Sequence, residues 1–273
     1  MSLPDVVSRE QWREARIRLL AREKAHTRQR DALNADRRRL PMVTIEKEYI
    51  FEGPGGRVTL ADLFAGRRQL IIQHVMFGPD WDAPCPGCSA SIQEHSQGVF
   101  DHLATRDTTF AMVSRAPHDK IAQAAKERGW FTPWYSSYGS DFNYDFEVSF
   151  DRARSLLTYN YAPAETFTGT EAPGLSTFLR DGDDIYHTYS VFARGAEYLG
   201  NAYTLLDLTA LGRQEVWEDS PAGYPQTPTY KWWNWHDNYE AEAAPNQRWV
   251  EVSDAGEAAF RAGEADGSGV TAS

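Results

Sequence analysis

Leu70-Ile71-Ile72-Gln73-His74-Val75-Met76-Phe77 leads, eight residues on, into Cys85-Pro86-Gly87-Cys88. The first run has the length and continuity of a strand buried on both faces. A helix-compatible stretch from Cys88 to about Thr105 follows the cysteines. A C-x-x-C at a strand-to-helix junction is suited to carry a redox pair. The tight turn brings two sulfurs within bonding reach. The helix N-terminus then offers free N–H groups and a positive dipole end to a thiolate on the first cysteine. The chain has only these two cysteines in 273 residues, which points to chemistry rather than stapling.

Outward from this unit, Thr109-Phe110-Ala111-Met112-Val113-Ser114 reads as a second buried strand. Pro117 opens a helix that Gly129 stops, a proline-first, glycine-last pattern. Strand, helix, strand, helix implies a parallel sheet with covering helices. Leu175 to Leu179 and Ile185 to Tyr189 flank Arg180-Asp181-Gly182-Asp183-Asp184, a hairpin signal. Upstream, Val43-Thr44-Ile45 and Tyr49-Ile50-Phe51 are short strands, and Gly53-Pro54-Gly55-Gly56 is a turn. Ser8 to Gln11 forms a capping box for a helix in which Trp12, Ala15, Leu19 and Leu20 recur at helical spacing. Leu40-Pro41 ends it. The expected fold is α/β, a thioredoxin-like central sheet flanked by helices. Residues 1–40 form an N-terminal helical arm, 41–212 the thioredoxin-like domain, and 213–273 an aromatic C-terminal extension, disordered from about Gly263. The aromatic-rich insert from Trp130 to Phe167 is expected to pack near the active site.

Hydrophobic content of 41% and charged content of 25% are ordinary for a globular protein. A net charge of −11 argues against general nucleic-acid binding. That average hides an asymmetry. Arg9 to Arg39 holds eleven Lys/Arg against five Asp/Glu, about +6, which leaves about −17 on the remainder. The basic helix is therefore expected on, or beside, the acidic body. No run reaches the roughly 18 apolar residues of a membrane span. No secretory signal is visible, so a cytoplasmic, reducing compartment is expected.

The segments Phe77-Gly78-Pro79-Asp80-Trp81, Cys85 to Ser89, Val113-Ser114-Arg115-Ala116-Pro117, Gly139-Ser140-Asp141-Phe142-Asn143-Tyr144, Pro173-Gly174-Leu175-Ser176 and Tyr189 to Gly195 occur in this order. On them the chain resembles the thioredoxin-like superfamily, and within it the bacterial DUF899 group. Gly56 to Phe64 is similar to the opening of peroxiredoxins and extracytoplasmic thioredoxins. The resemblance implies a redox-like site without an assigned reaction. It also implies a cis-proline opposite the cysteines, for which Pro173 is the candidate, leaving a neighbouring backbone group free for a substrate segment. The dipeptide between the cysteines is Pro-Gly rather than Gly-Pro, and Pro84 stands where thioredoxin has Trp.

As a dithiol site, Cys85 is the nucleophile, with a depressed pKa, and Cys88 the resolving thiol. Pro173, Trp81, Trp134, Tyr144 and Arg115 are the candidate substrate groove. No cofactor and no metal is called for. Cys88, His95 and His102 share a helical face, but seven residues rise about 10.5 Å, too far for one ion. His95 and His102 are read as helix-surface or packing residues. A peroxiredoxin-like peroxidase needs a hydroxyl and an arginine beside the sulfur; only Arg115 or Arg194 offers the charge. A third reading is a non-catalytic binding module working through its aromatic insert. The expected partner is a protein or small-molecule thiol or disulfide, with neither nucleic acid nor membrane, and a homo-oligomer is allowed.

Overall fold

The computed structural model describes residues 4–151, 153, 158–164, 168–229, 232 and 239. The expected disordered tail from Gly263, and Trp233 and Trp235, lie outside the described residues. The chain opens with α1 (Arg9–Arg38), then β1 (Val43–Thr44), the hairpin β2 (Ile50–Gly53) and β3 (Gly56–Thr59), and α2 (Leu60–Leu63). The central unit is β4 (Gln69–His74), α3 (Pro86–Gln93), α4 (Gln97–Ala104), β5 (Thr108–Ser114) and α5 (His118–Arg128). After β6 (Trp134–Ser136) and α6 (Phe142–Asp145), a small ribbon forms from β7 (Thr158–Tyr159) and β8 (Ala162–Pro163). The hairpin β9 (Gly174–Asp181) and β10 (Asp184–Phe192) precedes a 3-10 turn, Ala193–Ala196, and α7 (Ala202–Leu206).

The main sheet runs β1-β10-β9-β4-β5-β6-β2-β3. At its centre β4 lies parallel to β5 on one side and antiparallel to β9 on the other. A parallel pair joined through helices, with an antiparallel hairpin beside it, is the expected thioredoxin-like arrangement. All six residues of β4 are buried. Alternation along the strand divides the core in two. Ile71, Val75 and Phe77 pack with Cys88, Ile92 and Leu103 on one face. Leu70 and Ile72 pack with Phe51, Leu63, Phe64 and Phe142 on the other. Burial of Leu70, Ile71 and Ile72 contributes about 1.5–3 kcal/mol per side chain. The helix opened by Pro117 stops where expected, at Gly129 with φ 67, a left-handed turn that glycine adopts without strain.

Three expectations need correction. The stretch from Cys88 to Thr105 is two helices, not one. Ser96 caps α4 by accepting the Val99 N–H at 3.3 Å, and a serine competes for backbone bonds in this way more readily inside a turn than inside a helix. The 30-residue α1 does not lie along the body for its length. Only Asn34, Ala35 and Arg38 are buried, while Trp12, Ile17 and Leu19 are 46–59% exposed. Charged residues break its apolar stripe too often for a continuous contact. Its last turn is held by Arg38 Nη1 on Glu218 Oε1 at 3.0 Å, both buried. The peptide bond before Pro173 is trans, since no described residue has a cis bond. Ala172 N–H donates to Val148 O, and Gly174 enters the ladder opposite Phe192. The backbone thus passes straight into β9. Among the described residues no helix is long and apolar enough to cross a membrane.

The opposite face of the central strands carries a polar line through the core. His74 Nε2 meets Ser176 Oγ at 2.8 Å, Ser176 meets Ser190 at 2.8 Å, and Ser190 meets His187 Nε2 at 2.8 Å. Burial holds His74 down to about 3 and, less strongly, His187 below the usual histidine value. His95, on the other face, is held down to about 4 by burial. These bases are neutral when folded and charge on unfolding, so the stability they contribute is present above the ordinary pKa of about 6.5 and is lost as pH falls below it. Urea titrations should show a loss of roughly 2 kcal/mol for each of His74 and His95 between pH 7.5 and 5. Replacing Arg38 by Met strands a buried carboxylate, and the same titrations should show a cost of about 3–5 kcal/mol. Adding Glu218→Gln should restore part of it.

Candidate functional site

The loop leaving β4 is fixed before it reaches the cysteines. Val75 N–H donates to Val113 O at 2.9 Å, Ala116 N–H to Phe77 O at 2.7 Å, and Cys85 N–H back to Met76 O at 2.9 Å. Cys85 is therefore held against the end of β4 and serves as the N-cap of α3, with Pro86 opening the helix. Ser89 N–H donates to its carbonyl at 2.9 Å. Both cysteines are free thiols, Cys85 half-buried and Cys88 buried. Burial pushes the Cys88 thiol up to about 11; a hydrogen bond from the Met76 backbone opposes this, while the charge and thiol of Cys85 add to it. The pair thus consists of an accessible sulfur at a helix end and a hidden, protonated one within hydrogen-bond reach.

A cavity of about 230 Å³ adjoins both sulfurs. Its walls come from the central unit and from the segments that follow β8. Gln73 and Met76 come from β4 and the loop after it, Ser91 and His95 from α3 and the turn beyond, and Pro173 from the entry to β9. The turn at Ala193–Ala196 and Leu205 of α7 close the far side. Gly174 makes this closure possible, because a Cβ there would lie 2.7 Å from Phe192 Cδ1. Tyr159 donates its hydroxyl to Pro173 O at 2.9 Å and accepts from Ala193 N–H at 3.2 Å. The backbone carbonyl beside the cysteines is thereby already paired, in contrast to the free group that a cis-proline was expected to leave.

The predicted groove residues separate into three places. Pro173 stays with Cys85 and Cys88. Trp81, Arg115 and Tyr144 border a different depression of about 400 Å³. There the Arg115 guanidinium lies 4.5 Å from the Tyr144 ring centre and pairs with Glu171 Oε1 at 3.0 Å. Glu171 also accepts the Ser149 hydroxyl at 2.5 Å, and burial pushes its carboxyl up. Trp134 is in neither; it is 4% exposed, on β6, and donates Nε1–H to Ser114 Oγ at 2.9 Å. It packs into the core beside Phe77 and Trp130.

Sequence reading missed Gln73, Ser91 and His95 as neighbours of the thiols. The signal for Gln73 was present, as a polar residue within a strand expected to be buried on both faces. His95 was misplaced because its helix was taken as continuous. In the structure it follows the end of α3, its Nδ1 meets Thr132 Oγ1 at 2.9 Å, and its ring sits edge-on to Phe100 and Phe110. His102 lies apart, with Nδ1 on the Tyr239 hydroxyl at 2.8 Å.

Solved structures similar to the chain include peroxidoxin BcpB from Mycobacterium tuberculosis, at 15% identity over 62% of this chain and 94% of that one, with a TM-score of 0.41. Peroxiredoxin Q from Xanthomonas campestris is 14% identical over 62% and 94%, with a TM-score of 0.39. PrxQ from Xylella fastidiosa is 14% identical over 54% and 85%, with a TM-score of 0.33. No curated protein matches the chain. The family model for bacterial proteins of unknown function, DUF899, matches residues 1–239. The chain therefore belongs to the DUF899 family.

Proposed function

We propose that this protein is a thiol–disulfide oxidoreductase in which Cys85 is the nucleophile and Cys88 the resolving thiol, working in a reducing compartment. The observation that carries this reading is the position of Cys85. It is the half-exposed cap of α3, beside a cavity, with Cys88 buried one turn further in. A thiolate at Cys85 lies where the first backbone N–H groups of the helix are unpaired. Attack on a disulfide forms a mixed disulfide on Cys85. Cys88 then loses its proton, attacks Cys85 and expels the second thiolate. With its thiol held at about 11, Cys88 remains protonated and inert until the mixed disulfide forms beside it. The peroxidase reading has weaker support, because Arg115 is committed to Glu171 away from the sulfurs and Arg194 is exposed and paired with Glu197 at 3.4 Å.

Equilibration in graded dithiol/disulfide buffers, read by alkylation and mass, should show one reversible two-electron step between roughly −270 and −120 mV. Cys85→Ser should abolish disulfide reduction, whereas Cys88→Ser should accumulate mixed disulfides visible as added mass. Wild-type turnover in both variants would sink the assignment. In the native dithiol at pH 8, iodoacetamide should modify Cys85 and spare Cys88. Labelling of Cys88 should rise about tenfold per pH unit towards 11, following its thiolate fraction.

A further inference from the structure

Gln73 is the polar side chain that β4 turns towards the cysteines. It is 8% exposed and lines the cavity of about 230 Å³. Its Nε2 donates to Ser91 Oγ at 3.3 Å, while its Oε1 is buried without a hydrogen-bond partner. A buried amide oxygen left unpaired is unfavourable, and an apolar side chain of the same length would seat there more easily. The fold thus keeps an acceptor that it does not itself use. Much of the remaining wall is apolar, including Met76, Val99, Phe100, Phe110, Leu175 and Leu205. Among the described residues lining it there is no Lys or Arg, and Glu197, exposed at the rim, is the one carboxylate. Outside the lining, exposed Arg194 pairs with Glu197 at 3.4 Å, so a carboxylate-bearing ligand entering the cavity would lose its hydration without an unpaired cation to meet it. The volume lies below the range of about 300–1,000 Å³ typical of drug-sized ligands. An extended peptide would meet a Pro173 carbonyl that already accepts one hydrogen bond, from Tyr159.

Building on the oxidoreductase reading, we propose that this cavity is a specificity pocket for a small, uncharged organic disulfide bearing a hydroxyl or amide N–H, which donates to Gln73 Oε1. Gln73 is a specificity-determining residue and takes no part in bond making. Cys85 thiolate attacks one sulfur of R–S–S–R, forming Cys85–S–S–R and releasing R–S⁻, which takes up the proton Cys85 gave up. Cys88 transfers its proton to the second leaving thiolate as the Cys85–Cys88 disulfide closes. The substrate is reduced by two electrons to two thiols, and the dithiol is oxidised by two.

The test is single-turnover oxidation of the reduced full chain by hydroxyethyl disulfide, by dipropyl disulfide of the same heavy-atom count, and by oxidised glutathione. Each rate is divided by that of a free thiol with the same reagent. Wild type should favour hydroxyethyl over dipropyl disulfide by roughly tenfold, with oxidised glutathione slower still. Gln73→Met should erase the hydroxyethyl preference while raising the thermal midpoint, since the unpaired oxygen is gone. Equal wild-type rates for the first two, an unchanged ratio in the variant, or glutathione disulfide reacting fastest would each overturn the pocket assignment while leaving the redox reading standing. Failure of every disulfide, with Cys85 and Cys88 remaining reduced, would instead remove the oxidoreductase reading on which the pocket depends.

Discussion

The constraint on which the structure depends is the enclosure of β4. Its backbone is paired on both edges, with β5 and β9, and its side chains are buried on both faces. A strand held on four sides can vary little in register or twist. The loop that leaves it inherits that rigidity through the bonds from Val75, Ala116 and Cys85. The position of the accessible sulfur is thus set by sheet hydrogen bonds rather than by the loop's own preferences. A loop holding Pro79 and Pro84 also has fewer alternatives than one of ordinary composition.

Much of this was legible in the chain. Buried strands announce themselves by uninterrupted apolar runs, and the two central ones were read from Leu70 to Phe77 and from Thr109 to Ser114. Pro117, Gly129 and the Asp181-Gly182 turn act on the backbone locally, so their effects survive without knowledge of the tertiary fold. The β9–β10 hairpin closes with Asp181 opposite Asp184, as that turn implied. What was not legible depends on contacts between distant segments. That Trp134 is interior while Trp81 is half-buried follows from which face each segment presents. The break before Ser96 turns on one competing hydroxyl. The carbonyl of Pro173 is engaged by Tyr159, from a ribbon that no local pattern announced.

Burial of charge is handled differently at the site and away from it. Asp207 and Arg213 form two short hydrogen bonds, at 2.6 and 2.7 Å, and Arg38 and Glu218 form another buried pair. Such pairs specify a position more than they stabilise it. The first braces the segment after α7 on itself, and the second ties the end of α1 to that segment. The cavity by the cysteines has no such buried pair; Gln73, Ser91 and the neutral His95 line it, and the exposed Glu197 at its rim meets Arg194. That contrast separates the ionic framework that positions the segments from the mostly neutral surroundings of the two thiols.

The attachment of α1 by its last turn has an electrical consequence. At about 1.5 Å per residue the helix is about 45 Å long, and its mostly exposed first turns lie several screening lengths from its anchor, since that length is about 8 Å at physiological ionic strength. The basic charge there and the acidic charge of the remaining sequence therefore do not cancel as seen by an approaching ion. A net value of −11 describes neither end. The helix is a cationic rod joined at one end to a chain whose remaining sequence is anionic, and orientation near any charged object follows from that separation rather than from the sum.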